Sequence, residues 1–358
     1  MKTKKVLLSG YYGFDNFGDD AILQVLVSHL RSGELQPEIT AISKNPEKTK
    51  ELYNVNSIYT FDLASLIKNI AACDVFVSGG GSLLQDKTSV KSLLYYLFLI
   101  FTALLFGKKV CIYAQGIGPI NSFIGSFMTS NLLKKASMIT VRDINSYNLL
   151  KSWNINPVLT SDPVWDIECD SSQNLQSTKR LVGIQLREWP SLTSEKVEAL
   201  AHSIAANFDD ENTQLVVIPL QPAKDTVISN EITEILKTKC TKAEVNFIQP
   251  ESIQDSIKAL NSLDLILAMR FHAELITIKF AVPTLALCYD PKVESISKEA
   301  EVPYVWIEDI SVDNMDSKIK ELLQSQSILR EQLKVFSEKK AVESRQNRDL
   351  LQDVLSGK

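Results

Sequence analysis

The chain has 358 residues, of which 45% are hydrophobic, and this is enough to build two packed cores. Its formal net charge is −5 and its Lys and Arg residues do not cluster, which disfavours a nucleic-acid groove, because such a groove needs cations along one face. The five cysteines are scattered without a C-x-x-C pair, which indicates reduced cysteines in a cytosolic protein. The apolar segment after the basic N-terminus is too short for a signal peptide.

Short β-rich segments alternate with amphipathic segments along the first half of the chain. The strand-like segments are, in order, KVLLS, ITAIS, DVFVS, KVCIYA, SMITV and PVLTS. Such alternation is typical of βαβ units and a mainly parallel sheet. A polar segment at residues 168–179 has the composition of a linker. We therefore predict an N-terminal α/β domain at residues 1–167, followed by a linker at residues 168–179.

The second half of the chain repeats this pattern with LVGIQL, QLVVIP, VNFI, DLILA, PTLALC and PYVWI. It predicts a C-terminal α/β domain at residues 180–330, and the Lys-, Glu- and Gln-rich remainder predicts a helical tail at residues 331–358. The fold class is α/β, with two Rossmann-like domains facing each other across a cleft. Ligands of such sheets bind beyond the carboxyl ends of the strands, so we expect the site there.

One segment of the first half is unusually apolar. Residues 93–106, LLYYLFLIFTALLF, contain a single Thr and are bounded by Lys91 and by Lys108 and Lys109. The segment is too short to span a bilayer, which takes about 20 apolar residues. It predicts either a helix buried against a sheet or a helix that lies in the membrane interface, with its lysines near anionic lipid.

Two loops of the first half follow predicted strands. In SGYYGFDNFGDDAIL the glycine spacing fits neither a dinucleotide fingerprint nor a phosphate-binding loop, and the acceptors Asn16 and Asp19 suit hydroxyl groups better than phosphate. A glycine-supported turn with a helix cap would also explain Asp19. In DVFVSGGGS, the glycines and the hydroxyl favour a loop that faces a ligand through Gly80, Gly81 and Ser82.

Four cations come at or just after apolar strands: Arg142, Arg187, Arg270 and Lys292. An Arg at the carboxyl end of a strand can direct its planar fork at a carboxylate or phosphate. The alternative is that each cation pairs with a neighbouring acid, for example Arg142 with Asp143 or Arg187 with Glu188.

His272 has the most informative setting of the three histidines. It begins a predicted helix two residues after Arg270, and no second ligand lies at a metal-binding spacing. Proton transfer is the better interpretation, because imidazole titrates near neutral pH. Helix packing or surface exposure explains His29 and His202.

Together, GYYGFDNFGDDAIL, SGGGSLLQD, VRDINSYNLLKSWNINPVLTSDPVW, GIQLREW and MRFHAELITIKFAVPTLALCYDPKV resemble the polysaccharide pyruvyl transferase family, in particular its CsaB type. The resemblance implies a fold like that of GT-B glycosyltransferases. It also implies transfer of the enolpyruvyl group of phosphoenolpyruvate to a sugar as a ketal. The implied acceptor is an N-acetylmannosamine residue of a lipid-linked cell-wall glycan, and the ketal would anchor S-layer proteins.

The same resemblance assigns roles. His272 would be the general acid, while Arg270, Lys292 and Arg142 would hold the carboxylate and phosphate of the donor, without a metal or other cofactor. The N-terminal domain would take the acceptor and the C-terminal domain the phosphoenolpyruvate. We expect a cytoplasmic protein, and a lipid-linked acceptor would favour peripheral contact with the inner face of the cell membrane.

Two other functions fit parts of the sequence. A GT-B glycosyltransferase with a nucleotide-sugar donor would share the fold, and Glu274 could imitate the acid that grips a ribose. The second of these functions is that of a non-catalytic sugar-binding or scaffold protein. It would have no reason to place a His beside several cations.

Overall fold

The computed structural model describes residues 3–87, 89–169 and 177–357. The chain forms two compact units, one made of Met1–Ile167 and Lys340–Lys358 and the other of Glu168–Lys339. Most of the linker predicted at residues 168–179 lies outside the described residues, since 170–176 are not among them.

The first unit is built on a parallel sheet of seven strands in the order β3-β2-β1-β4-β5-β6-β7. The strands are β1 (Lys5–Ser9), β2 (Glu38–Ser43), β3 (Asn56–Tyr59), β4 (Val75–Ser78), β5 (Lys109–Gln115), β6 (Met138–Val141) and β7 (Val158–Leu159). Val6 of β1 is in register with Ile39 of β2 and with Val75 of β4. The central strands are buried on both faces, which explains their nearly continuous apolar sequence.

Helices cover both faces of this sheet: α1 (Phe17–Arg31), α2 (Pro46–Tyr53), α3 (Leu63–Ala72), α4 (Val90–Leu105), α5 (Phe123–Leu133) and α6 (Ile144–Ser152). One core joins Leu7 and Phe76 of the strands to α3, α4, α5 and α6. The other joins Val6 and Leu8 to α1 and α2. Leu7 and Leu8 point to opposite cores because side chains alternate along a strand.

The second unit has a parallel sheet of six strands in the order β10-β9-β8-β11-β12-β13. Its strands are β8 (Arg180–Gln185), β9 (Thr213–Val217), β10 (Glu244–Phe247), β11 (Leu265–Ala268), β12 (Thr284–Cys288) and β13 (Tyr304–Trp306). Its connecting helices are α7 (Ser194–Phe208), α8 (Pro222–Lys239), α9 (Ile253–Asn261), α10 (Phe271–Lys279) and α11 (Pro291–Glu299). The prediction of two α/β domains with parallel sheets is confirmed.

The last helix, α12 (Val312–Ser356), differs from the tail predicted at residues 331–358. It begins 19 residues earlier, and no Gly or Pro interrupts its sequence. Its end belongs to the first unit, where Leu351 and Leu355 are buried in the core that contains α1.

The apolar segment at residues 93–106 forms most of α4. Leu93, Leu97 and Ile100 are buried in the core, whereas Leu94 and Phe101 are exposed. The segment is therefore a core helix on one face only. Across the described part of the chain, no helix has both the length and the hydropathy needed to cross a membrane.

Candidate functional site

Four of the predicted residues lie at one edge of the second sheet. Arg187 follows β8, Arg270 and His272 follow β11, and Lys292 follows β12. These three strands are neighbours in the sheet, and all of their carboxyl ends meet at the same edge because the strands are parallel. The structure thus brings together three cations and the histidine that the sequence singled out.

Arg270 is held in place by a buried acid from a different strand end. Its Nε donates to Asp225 Oδ2 at 2.7 Å, and its Nη2 donates to Asp225 Oδ1 at 2.5 Å and to Gln221 Oε1 at 2.9 Å. Asp225 is completely buried and also accepts hydrogen bonds from the backbone N–H groups of Leu220 and Gln221. Among the described residues, Nη1 of Arg270 donates no hydrogen bond, so this end of the fork is available to a ligand.

Arg187 is positioned by two aromatic rings rather than by an acid. Its guanidinium lies 4.8 Å from the ring centroid of Tyr289 and 5.0 Å from that of Trp189, and Nη1 donates to Tyr289 Oη at 3.0 Å. Cation–π contacts of this kind fix the plane of the guanidinium. The predicted alternative, an ion pair with Glu188, does not form.

His272 lies in the first turn of α10, for which Arg270 is the N-cap residue. It is partly buried, and its ring meets that of Phe271 edge to face at a centroid distance of 5.0 Å. Lys292 is exposed in the first turn of α11, with its Nζ 5.8 Å from the ring centroid of Phe271. Phe271 therefore has His272 against its ring and the ammonium group of Lys292 over it. The two helix N-termini add partial positive charge for an anion.

The other predicted residues lie in the first unit, at the carboxyl edge of its sheet. Asn16 is the N-cap residue of α1, but its side chain does not cap the helix; its Nδ2 donates instead to Asp19 Oδ2. Gly81 has a φ of +93°, and a Cβ there would lie 2.7 Å from Asp19 Oδ1. The positive φ therefore favours glycine at this position, and a side chain there would also displace the carboxylate of Asp19.

The glycine loop after β4 is closely packed. A Cβ at Gly79 would lie 2.0 Å from Tyr12 Oη, and one at Gly80 would lie 2.9 Å from Ile22. Packing therefore accounts for the triple glycine, and the ligand-facing role of Gly80 and Gly81 remains a prediction.

Arg142 joins this loop to the end of β7. Its Nη1 donates to Asp162 Oδ2, and its Nη2 donates to Ser82 Oγ at 3.0 Å. The side chains of Arg142 and Asp162 are both nearly buried. Arg142 does not pair with Asp143, which caps α6 through Ser146 N–H. Arg142 belongs to the first unit and the other three cations to the second.

Three polar side chains near the carboxyl edge of the first sheet are buried: Tyr12, Asp20 and Gln115. Burial, followed by the charge of Asp19, raises the pKa of Asp20 to about 7. Burial also raises the pKa of Tyr12. Tyr12 Oη and Gln115 Oε1 are buried and make no hydrogen bond within the part of the chain that the structure describes. Such atoms are rare in folded proteins and favour a polar partner such as a bound hydroxyl or water.

Gln185 also holds the Arg270 backbone, because its Oε1 accepts a hydrogen bond from the N–H of Arg270 at 2.8 Å. Sequence reasoning did not find the residues that position the cations: Gln185, Gln221, Asp225, Trp189, Tyr289 and Asp162. Each lies at or shortly after the carboxyl end of a strand, which is the signal that could have found them. No set of three or more His, Cys, Asp or Glu side chains is arranged to hold a metal ion in residues 3–87, 89–169 and 177–357.

Solved structures similar to this chain show its fold. It is similar to the UDP-GlcNAc 2-epimerase from Neisseria meningitidis bound to UDP-GlcNAc, with a TM-score of 0.67, 12% identity, and 98% of this chain and 100% of that chain covered. It is also similar to Anabaena Alr3699/HepE in complex with UDP and glucose, with a TM-score of 0.62, 11% identity, and 99% and 100% covered. It is also similar to the Thermobaculum terrenum O-GlcNAc transferase, with a TM-score of 0.52, 13% identity, and 99% of this chain and 67% of that chain covered. The two parallel-sheet domains thus form a GT-B-like fold.

Comparison by sequence gives the family. No curated protein matches the chain. The sequence model described as polysaccharide pyruvyl transferase matches residues 16–291, which include the glycine loop after β4 and the β11–α10 segment with Arg270 and His272. This match covers well over half of the 358 residues. The chain belongs to the polysaccharide pyruvyl transferase family.

Proposed function

We propose that the protein transfers the enolpyruvyl group of phosphoenolpyruvate to a sugar, forms a pyruvate ketal and releases phosphate. The proposed acceptor is an N-acetylmannosamine residue of a lipid-linked cell-wall glycan, as in the CsaB type, where the ketal serves S-layer anchoring. Family membership supports the transferase class. The observation that carries the choice of donor is the meeting of His272 with Arg187, Arg270 and Lys292 at one sheet edge.

The chemistry of the donor needs an acid and an anion clamp. Phosphoenolpyruvate is an enol ester, and a proton delivered to its CH₂ carbon leaves positive charge at C2. A sugar hydroxyl attacks C2, and a second hydroxyl then displaces phosphate there, which closes the ring of the ketal. Each hydroxyl gives up one proton: one restores the proton that His272 donated, and the other leaves with the released phosphate. General acid catalysis of this kind contributes roughly 10²–10⁴ in rate.

The cations of the second unit suit the two anionic ends of the donor. Asp225 and Gln221 hold one edge of the Arg270 guanidinium and leave Nη1 for a ligand. The guanidinium is therefore oriented before the ligand binds. A preoriented fork binds a carboxylate or phosphate with little loss of side-chain freedom. Arg187 and Lys292 supply further positive charge at the same edge. The donor-binding role that the family resemblance gives to Arg142 stays a prediction.

The first unit suits a neutral acceptor with many hydroxyl groups. Asn16, Asp19 and Ser82 present amide, carboxylate and hydroxyl groups at the carboxyl edge of its sheet, and the charge of Asp19 would repel an anionic donor. We therefore assign the acceptor to the first unit and the phosphoenolpyruvate to the second.

The second candidate, a glycosyltransferase with a nucleotide-sugar donor, has the support of the fold alone. Its expected ribose-binding acid would be Glu274. That carboxyl is completely buried, and its Oε1 accepts a hydrogen bond from Ser297 Oγ at 2.5 Å. Burial raises the pKa of Glu274 well above its usual range. A buried carboxyl packed against α11 is not accessible to a ribose, so the acid that the sequence offered for nucleotide-sugar binding lacks support.

Incubation with phosphoenolpyruvate and a panel of lipid-linked disaccharide mimics tests the reaction. We expect phosphate release and a product heavier than the acceptor by one pyruvate ketal. Phosphoenolpyruvate, but not nucleotide sugars, should raise the Tm, because a ligand of the folded state stabilises it. Thermal protection by nucleotide sugars alone would overturn the choice of donor.

His272→Ala tests the acid. We expect turnover to fall by roughly 10²–10⁴ while the Kd for phosphoenolpyruvate is unchanged. His202→Ala is the matched control, since His202 is exposed on α7. Near-normal turnover of His272→Ala would remove His272 from the mechanism.

A further inference from the structure

A stripe of large apolar side chains runs along the outer face of α4. The helix buries Leu93, Leu97 and Ile100 in the core of the first unit. Its exposed apolar residues are spaced four, four, three and four positions apart, so they share one helix face: Val90, Leu94, Phe98, Phe101 and Leu105. A surface helix is normally polar on its outer face, and a helix apolar on all sides is expected only inside a protein or a membrane.

The neighbouring helix α5 extends this stripe. Phe123, Ile124, Phe127 and Met128 lie on one face of α5 and are exposed, Phe123 to 84% and Phe127 to 63%. The two helices pack closely, because a Cβ at Gly125 of α5 would lie 3.1 Å from Leu93 of α4. We call the exposed side chains of α4 and α5 together the α4–α5 face. Scattered apolar side chains are normal on a surface, but a contiguous group of this kind marks an interaction site.

The charged residues that α4, α5 and the segments beside them in sequence contribute have one sign. From Lys87 to Arg142 the sequence contains no Asp or Glu, although the whole chain has a net charge of −5. Exposed lysines lie near both ends of the face, Lys91 at the start of α4 and Lys134 with Lys135 at the end of α5.

The acids that border this run are occupied elsewhere. Asp86 accepts hydrogen bonds from the backbone N–H groups of Asn121 and Ser122, and Asp143 caps α6. The backbone N–H groups therefore partly balance the negative charge of Asp86 and Asp143, and neither acid pairs with Lys91, Lys134 or Lys135 among the described residues.

We propose that the α4–α5 face docks on the anionic surface of a lipid bilayer. Exposed Phe, Leu and Ile side chains would enter the boundary between headgroups and acyl chains, while the lysines at both ends would meet lipid phosphates. The axis of α4 would then lie in the plane of the membrane, as in interfacial amphipathic helices. A second copy of the chain fits less well, because a two-fold interface would bring together two copies of a face whose nearby charged residues on α4 and α5 are all lysines. This inference does not depend on the proposed reaction.

Co-sedimentation with vesicles tests the docking. One set is phosphatidylcholine alone, and in the other phosphatidylglycerol replaces part of it. We expect the protein to bind the mixed vesicles and to bind phosphatidylcholine much more weakly. Lys134→Gln with Lys135→Gln should lower the partition to mixed vesicles by about fivefold for each lysine, about 25-fold in total. Phe101→Ser with Phe127→Ser should abolish binding.

Matched controls lie on exposed surfaces of the second unit. Lys320→Gln with Lys339→Gln removes two exposed lysines of α12, and Val227→Ser with Ile328→Ser removes two exposed apolar side chains of α8 and α12. Both controls should bind like the wild type. All variants change exposed side chains, and an unchanged Tm confirms that each is folded.

Three results would overturn the proposal. One is that the wild type binds neither kind of vesicle. Another is that the control variants lose as much binding as the α4–α5 variants. The third is that sedimentation velocity shows a wild-type dimer that Phe101→Ser with Phe127→Ser dissociates, which would assign this face to a second copy of the chain.

Discussion

The ion pair between Asp225 and Arg270 gives the sharpest test of how the second unit holds its cations. Asp225 is completely buried and the Arg270 side chain is only 11% exposed. The variant Asp225→Ala leaves a nearly buried guanidinium without its carboxylate, and it removes an acceptor from the backbone N–H groups of Leu220 and Gln221. Removing one partner of a buried ion pair costs about 3–5 kcal/mol. We expect a loss of this size in the free energy of unfolding of the second unit.

Urea unfolding, followed by the fluorescence of Trp189 and Trp306 in the second unit, measures this loss. The matched control is Glu234→Ala on the same helix. Glu234 pairs with Lys237, and the two side chains are 71% and 52% exposed. Such an exposed pair contributes less than about 1 kcal/mol.

A double variant separates the pair from its surroundings. Asp225→Ala combined with Arg270→Met removes both charges, so it should be less destabilising than Asp225→Ala alone. If Asp225→Ala costs no more than Glu234→Ala, the guanidinium is not anchored as the hydrogen bonds indicate. If the double variant costs the sum of the two single changes, the two residues are not coupled.

Three further changes follow from the same structure. Lys292→Ala should raise the Kd for phosphoenolpyruvate in equilibrium titration without lowering the Tm, because Lys292 is exposed; an unchanged Kd would place the clamp elsewhere. Gly81→Ala should lower the free energy of unfolding by roughly 1–3 kcal/mol, because φ is +93° and the new Cβ would meet Asp19. Gly107→Ala is the control: its φ is +64° and nothing lies within 4 Å of the new Cβ, so only the backbone strain of about 1–2 kcal/mol is expected. Thermal unfolding measures both. The contribution of Asp20 to stability should fall as the pH rises from about 4 to about 7, because its raised pKa makes the folded state bind the extra proton. Asp20→Asn should therefore gain Tm relative to the wild type above about pH 7 and not at acid pH.

Hydrophobic periodicity predicted most of the fold. The apolar segments KVLLS, DVFVS and DLILA became the buried strands β1, β4 and β11, because central strands of a parallel sheet are apolar on both faces. The helix α12 begins at Val312, 19 residues before the tail that was predicted at residues 331–358. An amphipathic helix and a surface tail have similar compositions, so composition alone does not show where this helix begins. The contacts that bury Leu351 and Leu355 come from helices and strands far away in sequence, so the sequence did not show that the end of the helix is buried.

The partners of the site residues were less predictable, because they depend on distant parts of the chain. Asp225 lies 45 residues before Arg270, and Asp162 lies 20 residues after Arg142. His29 is the clearest case. The sequence indicated simple helix packing, but its ring is buried and bonded to Asp166 at 2.8 Å and to Tyr113 Oη at 2.7 Å, which lie 137 and 84 residues away.

The two alternatives for an Arg at a strand end, a ligand clamp and a structural ion pair, are not exclusive. A nearly buried guanidinium needs a carboxylate nearby, and both Arg142 and Arg270 have one from another strand end of the same unit. A guanidinium has five N–H donors, and the bonds to Asp225 and Gln221 occupy only the Nε and Nη2 edge of Arg270. The ion pair therefore fixes the direction of the remaining donors. It is the means by which this fold could present a cation to an anionic substrate, and the loss of Asp225 should weaken donor binding as well as stability.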